Sequence, residues 1–378
     1  MRVAMARLLV GRPDVPLMDE PTDRLDIGSI VWLESFLMAT PAALLVTSHD
    51  RDFMNCVVTK IAEIDGGEIT VYSGNHDFYE RERAIREANP EAAYARQQAM
   101  LAMERRSIEL FSAHAAKAAQ VQSRIKALDK IEKIELPNRR RVVRFDFRPP
   151  PRSGEEVAVL EGVSKRYGRH SVHDGLDLTI RRGERWAVMG RNGAGKTTLL
   201  RMVAGELQPD SGGVRLGANR KMGYFAQQAI DVLDADLMIE EQLQQDFPFE
   251  SLGVLRNQAQ AFQFSGDDID KKIRALSGGE KRGLVIARML LGPPNFLVLD
   301  EPTNRLDLAT KEMLVEALAN FEGTMLFVSH DRAFLRGLSN RVLELGGETG
   351  TDTESHPYPG SYVEYVQRTR HEAPGVYA

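Results

Sequence analysis

Gly190, Gly195, Lys196 and Thr197 fall at the spacing G-x-x-x-x-G-K-[ST] within GRNGAGKT, residues 190–197. An apolar stretch at 187–189 precedes them and a helix-forming stretch at 197–204 follows, the strand–loop–helix context this pattern requires. Glycines let backbone N–H groups close around phosphate oxygens at a helix N-terminus, Lys196 adds a point charge, and the Thr197 hydroxyl can hold Mg2+. Asn192, Gly193 and Thr198 complete the nucleotide-binding candidates in this loop. Further on, the apolar run FLVLD ends on Asp300 and is followed at once by Glu301. A carboxylate at such a strand end suits Mg2+, and the next one is placed to act as general base on an attacking water.

Four further signals stand in a fixed order around these. Tyr167 lies 23 residues before the phosphate loop, where an aromatic ring can stack on adenine, with a core tyrosine as the rival reading. Gln227, in GYFAQ, would sit near the attacking water or the metal. Ser277, Gly278, Gly279 and Glu280 form a Ser-Gly-Gly turn at a helix start, whose hydroxyl and bare backbone suit a γ-phosphate. His330, after the apolar run MLFVS, would contact the same phosphate. A lone His or Gln is more often structural, and SGG is a common loop. Their order relative to the loop and the acidic pair makes function the better reading.

The acidic strand end occurs twice. LMDEPTDRLD at 17–26 returns within LVLDEPTNRLD at 297–307, and a shift of 281 positions also superposes His49 on His330 without a gap. A repeat this long means two copies of one domain, since solenoid units run to roughly 20–50 residues. The counterpart of the Ser-Gly-Gly turn would lie just before Met1, so the first copy is expected to be an N-terminally truncated remnant. Asp19, Glu20 and His49 are then motif residues with no phosphate loop of their own. The opening MRVAMARLLVGRPDVPL resembles a signal peptide, but its recurrence deep inside the chain argues against one.

Strands alternating with helices predict a parallel sheet with functional groups at strand C-terminal ends. Strands are expected at 15–19 and 42–47 and helices at 3–10, at 28–38 and from Arg51, followed by a hairpin around GGEITVYSG. Pro16 is an anomaly in a central strand, because it removes a ladder hydrogen bond. From Glu91 to Leu136 there is neither Gly nor Pro, which reads as one long helix or a helical hairpin, the hairpin being favoured. Residues 80–152 carry 17 Lys and Arg against 10 Asp and Glu, although the whole chain has net charge −5. The expected organisation is a first-copy remnant at 1–79, a basic helical linker at 80–152, a complete second copy at 153–350 and a tail at 351–378.

The acidic balance of the 378-residue chain excludes a generic polyanion binder, and no long uncharged apolar window offers a membrane span. The single cysteine, Cys56, excludes internal disulfides and a Cys-rich zinc module, and fits a reducing cytoplasm.

The set resembles the ATP-binding cassette superfamily, with Ser277–Glu280 in the position of its signature. More narrowly it resembles the ABC-F family, on the paired EPT-x-R-LD segments, the paired SHDR segments and the linker after YSGNHDFY. This resemblance covers essentially the whole chain. It implies an α/β P-loop fold, ATP and Mg2+ as ligands, ATP hydrolysis, and action on the ribosome, with Thr197, Asp300 and Gln227 around the metal. The linker would reach rRNA and tRNA, with Arg96, Arg105, Arg106, Lys117, Arg124 and Lys126 as phosphate contacts; a solvated charged helix is the plainer alternative. Family members carry His where this chain has Arg24 and Arg305, and Asn where it has Asp23. A missing first signature implies that neither ATP sandwich closes within one chain, and a head-to-tail homodimer through the second copies would restore one. Alternatives are an ATPase subunit of an ABC transporter, or a non-catalytic remnant that binds ATP and RNA only.

Overall fold

Continuous apolar runs become the central strands of a sheet buried on both faces. The protein is described here from a computed structural model at residues 2–23, 25–65, 67–86, 103, 149–226, 229–262, 264, 266–292, 294–304, 306–346 and 355–372. The chain divides into two units, one comprising Met1–Val57 with Val142–Ala378, the other Val58–Arg141.

The larger unit begins with α1 (Arg2–Val10), β1 (Leu17–Asp19), α2 (Ile27–Ala39), β2 (Leu45–Thr47) and α3 (Arg51–Val57). It resumes with β5 (Glu156–Tyr167), β6 (His170–Arg181), β7 (Arg185–Gly190), α4 (Lys196–Ala204), β8 (Ser211–Leu216) and β9 (Met222–Phe225). Helices α5 (Ile239–Asp246), α6 (Leu252–Ala261) and α7 (Gly278–Leu291) precede β10 (Phe296–Asp300), α8 (Leu308–Ala319) and β11 (Thr324–Val328). The unit closes with α9 (Arg332–Leu338), β12 (Arg341–Leu345), β13 (Ser355–Tyr358) and α10 (Tyr362–Thr369).

Six strands form the main sheet in the order β13-β12-β7-β11-β10-β9, parallel except for the β12–β13 pair. Every residue of β10 and β11 is buried, as parallel strands covered on both faces require. Leu297 and Phe327 pack with the helices on one side, whereas Val298 and Leu326 pack against α4 and the antiparallel sheet β6-β5-β8 on the other. Because β7, β10 and β11 run parallel, the phosphate loop, Asp300 and His330 all follow the same edge of the sheet.

The repeat is structural as well as sequential. Leu17 pairs with Leu45 across β1 and β2 in the register by which Val298 pairs with Leu326. Pro16 turns out to lie before β1, not inside a strand reaching back to residue 15, so its missing N–H removes nothing from the ladder. Its carbonyl accepts from Leu45 N at 3.1 Å. The second strand is likewise shorter than expected, at Leu45–Thr47.

Ion pairs hold this N-terminal segment on the cassette reciprocally. Arg332 of α9 bonds the Glu34 carboxylate of α2, while Arg51, its repeat counterpart, lies 3.5 Å from Glu312 of α8. Arg332 also contacts Glu372 at 2.9 Å and Asp52 at 3.7 Å. Burial alone would lower the Arg332 guanidinium, but the hydrogen bonds and charge of Glu34, then Glu372, hold it above its ordinary value.

In the unit Val58–Arg141, β3 (Ile61–Asp65) and β4 (Glu68–Tyr72) form an antiparallel hairpin, and residues 76–86 are helical. Glu63 accepts from the hydroxyls of Tyr72 at 3.1 Å and Tyr79 at 2.7 Å. The expected helical hairpin and the six linker contacts from Arg96 to Lys126 lie outside the described residues.

Removing one member of a buried pair strands the other charge at a cost of about 3–5 kcal/mol. Arg332→Met should therefore lower the free energy of urea unfolding by about that much, and Glu34→Gln added to it should recover a large part. Equal stabilities for the single and double variants would contradict this role.

Candidate functional site

Glycines at positive φ shape the phosphate loop. Gly193 and Gly195 have φ of 95° and 92°, and a Cβ on Gly195 would stand 2.2 Å from Val172 Cγ1 and 2.8 Å from His173 Nε2. His173 Nε2 lies 3.1 Å from the Gly195 carbonyl, and burial lowers its pKa. Gly195 starts α4 without a side-chain cap, so backbone N–H groups of the first turn remain for an anion. The buried Lys196 turns back along the loop, its Nζ donating to the Gly190 carbonyl at 2.7 Å and the Arg191 carbonyl at 3.1 Å.

At the opposite wall Asp300 is 1% exposed and neither carboxylate oxygen has a hydrogen-bond partner of good geometry. Burial pushes its pKa up to about 6, with the Glu301 charge adding to the rise and the nearby Thr197 hydroxyl and Lys196 opposing it. Buried carboxylate oxygens of this kind next to a threonine hydroxyl fit a hard divalent cation such as Mg2+. Glu301 follows with φ of 50°, a backbone setting rare for a residue with a side chain. Burial raises its pKa to about 7, against the pull of Lys196 and the His330 amide. His330 N donates to Oε2 at 3.3 Å, and His330 Nε2 is 3.2 Å from Oε1.

These residues share one cavity of about 580 Å3. Tyr167, Asn192, Gly193, Gly195 and Lys196 line it from the loop side, together with Thr197 and Thr198. Asp300, Glu301 and His330 line it from the sheet edge, whereas Gly190 does not line it and its carbonyl accepts from Lys196. The turn Ser277–Glu280 is not brought to this cavity. Ser277 Oγ accepts from Glu280 N at 3.2 Å and Glu280 Oε2 accepts from Ser277 N at 2.7 Å, a capping box at the start of α7. Gln227 lies outside the described residues.

The first-copy residues reproduce the second-copy geometry. Glu20 has φ of 45°, and His49 N donates to its Oε2 at 3.1 Å while His49 Nε2 is 3.5 Å from Oε1. The Thr47 hydroxyl bonds Asp19. Asp19, Glu20 and His49 do not line the cavity, but their neighbours do. Thr22, Asp23, Leu25, Ile30 and Asp50 form part of its wall, and Asp26 Oδ2 accepts from Asn192 N in the phosphate loop at 3.0 Å. Reading the first copy only for its own nucleotide missed this contribution. The Asp26–Asp307 match was visible, but the loop it would touch was not.

Residues 173–304 match the family described as ABC transporter, and residues 62–147 match a second family of the same description. The probable ATP-binding protein YbiT of Escherichia coli O157:H7 is 37% identical over 377 residues, covering 97% of this chain and 69% of the relative. The chain belongs to the ABC family. The probable ATP-binding protein YheS of Escherichia coli K12 is 40% identical over 367 residues, 97% of this ABC protein and 57% of the relative. Mouse ATP-binding cassette sub-family F member 3 is 36% identical over 378 residues, 97% of this chain and 52% of the relative. The ABC protein therefore spans little more than half the length of several curated relatives it matches. Among solved structures, a chain from the complex of archaeal ribosomal stalk protein aP1 and ribosome recycling factor aABCE1 shares the fold, with TM-score 0.63 and 19% identity. That match covers 98% of this chain and 65% of the other.

The raised carboxyls have a sign. Between the ordinary Glu value of 4.5 and about 7, the folded protein holds a proton on Glu301 that the unfolded chain has released. Without nucleotide and divalent cation, stability therefore falls as pH rises through that window. Urea unfolding at several pH values should show Glu301→Gln gaining on the parent protein towards pH 8 and matching it near pH 5. A difference independent of pH would contradict the raised carboxyl.

Proposed function

We propose that this chain is an ABC-F-type ATPase that binds ATP with Mg2+ in the composite cavity and hydrolyses it to ADP and phosphate. The observation that carries the reading is the buried Asp300–Glu301 pair facing Lys196 in one cavity. Lys196 would exchange its loop carbonyls for phosphate oxygens, with the α4 N-terminus and the bare loop backbone holding the chain of phosphates. Asp300 and Thr197 would hold Mg2+, which offsets charge on the transferring phosphoryl group. Glu301, near neutrality in pKa, takes a proton from water as its oxygen bonds the γ-phosphorus and the bond to the β-phosphate oxygen breaks. His330 fixes the Glu301 carboxylate from both backbone and ring, and Tyr167, at the cavity rim, would face the adenine.

Action on the ribosome rests on the resemblance to the ABC-F family, with which the sub-family F relative agrees, and on the excess of basic residues at 80–152. The family description favours a second reading, an ABC-transporter ATPase subunit. Among the described residues no helix is long and apolar enough to cross a membrane, so a separate membrane protein would have to supply the span. The N-terminal segment already covers part of the phosphate-loop face, so head-to-tail pairing of two chains would have to displace it.

Glu301→Gln should cut ATP turnover by about 100- to 10,000-fold while changing ATP affinity by less than about threefold, and Lys196→Ala should weaken affinity itself. Unimpaired turnover in Glu301→Gln would overturn Glu301 as the base, and no turnover in the parent protein would overturn the ATPase reading. The same variant with ATP should sediment with ribosomes and lose that binding steeply as salt rises. Sedimentation with membranes, and none with ribosomes, would favour the transporter reading.

A further inference from the structure

Lys311 belongs to neither the phosphate loop nor the acidic pair, yet it lines the cavity with only 16% of its side chain exposed. Its repeat counterpart is Ile30, a buried residue of α2, so the fold does not require a cation at this place in the helix. The Lys311 ammonium donates to the His49 carbonyl of the first copy at 3.1 Å and lies 3.6 Å from Asp331 Oδ2 of the second.

Two matching turns meet here. Asp50 and Asp331 occupy equivalent positions in the SHDR segments, and each caps the helix that follows, accepting from Phe53 N and Phe334 N at 3.0 Å. Lys311 touches both turns, and together with Arg332 it opposes the repulsion between the Asp50 and Asp331 carboxylates. Asp331 follows His330 directly, so a constraint on the Asp331 turn bears on the His330 N–H that donates to Glu301 at 3.3 Å.

We propose that Lys311 is a positioning residue that couples the first-copy His49–Asp50 turn to the second-copy His330–Asp331 turn. The coupling makes the N-terminal segment a functional part of the second site. The effect on turnover rests on the ATPase reading given above; the coupling of the two turns does not.

The test compares the parent protein, Lys311→Ile and Lys311→Arg by hydrogen exchange and by ATP turnover. Ile is tolerated at the matching position of α2, so the helix is expected to form. Exchange at residues 45–57 should quicken about tenfold in Lys311→Ile, the scale of one charge-assisted hydrogen bond, while peptides over 185–204 stay unchanged. Turnover should fall about tenfold with ATP affinity within about threefold, and Lys311→Arg should restore both readouts in large part. Unchanged exchange at 45–57 in Lys311→Ile overturns the coupling. ATP affinity falling in step with turnover overturns the positioning role and makes Lys311 a nucleotide contact. A parent protein with no turnover defeats the ATPase reading, and the exchange data still decide the coupling.

Discussion

A buried guanidinium is the constraint on which the larger unit depends. Arg332, 5% exposed, is surrounded by Glu34, Asp52 and Glu372 from three separate stretches of chain. It cannot be left there alone, because an unpaired buried charge costs far more than the pair gains. The segment Met1–Val57 is therefore committed to this face of the cassette, and once it is there Asp26 reaches Asn192 and Lys311 reaches His49. The cavity wall follows from that commitment. Residues far apart in sequence are brought to one site by an interaction that takes no part in the chemistry.

At the centre of the site, electrostatics do the opposite of what stability would choose. Asp300 and Glu301 stand together in a buried place, without enough hydrogen bonds to offset the loss of water, and both carboxyls are raised as a result. Glu301 is also held at a positive φ. Strain and desolvation of this kind concentrate where a ligand supplies what the protein omits. The first copy keeps the same backbone setting at Glu20, and burial raises that carboxyl too. Glu20 has no phosphate loop facing it among the described residues, and its neighbours Thr22, Asp23 and Leu25 instead line the second cavity.

Much of this was legible in the chain itself, for identifiable reasons. The phosphate loop, the acidic strand end and His330 depend on local spacing, and the parallel sheet places them on one edge without further information. The 281-residue shift even carries the strand register, Leu17 to Leu45 as Val298 to Leu326. Pro16 was legible as an anomaly, but not as a residue just ahead of its strand. The contacts of Asp26, Arg332 and Lys311 were not readable, because pairing across surfaces leaves no periodic mark in either partner. Ser277–Glu280 is legible as a helix start, because a Ser with Glu three residues on forms a capping box, but the turn does not line this cavity.

One cavity is lined by both repeats of a single chain, and the nucleotide proposed for it should touch both. ATP carrying a photoreactive group on its γ-phosphate, cross-linked at high dilution and mapped by peptide mass, tests it most directly. The account predicts labelled peptides from the Thr22–Ile30 or Asp50 stretches as well as from 190–198 and 300–304, at a ratio independent of protein concentration. Label confined to the second-copy peptides, or first-copy label that appears only as protein concentration rises, would contradict it.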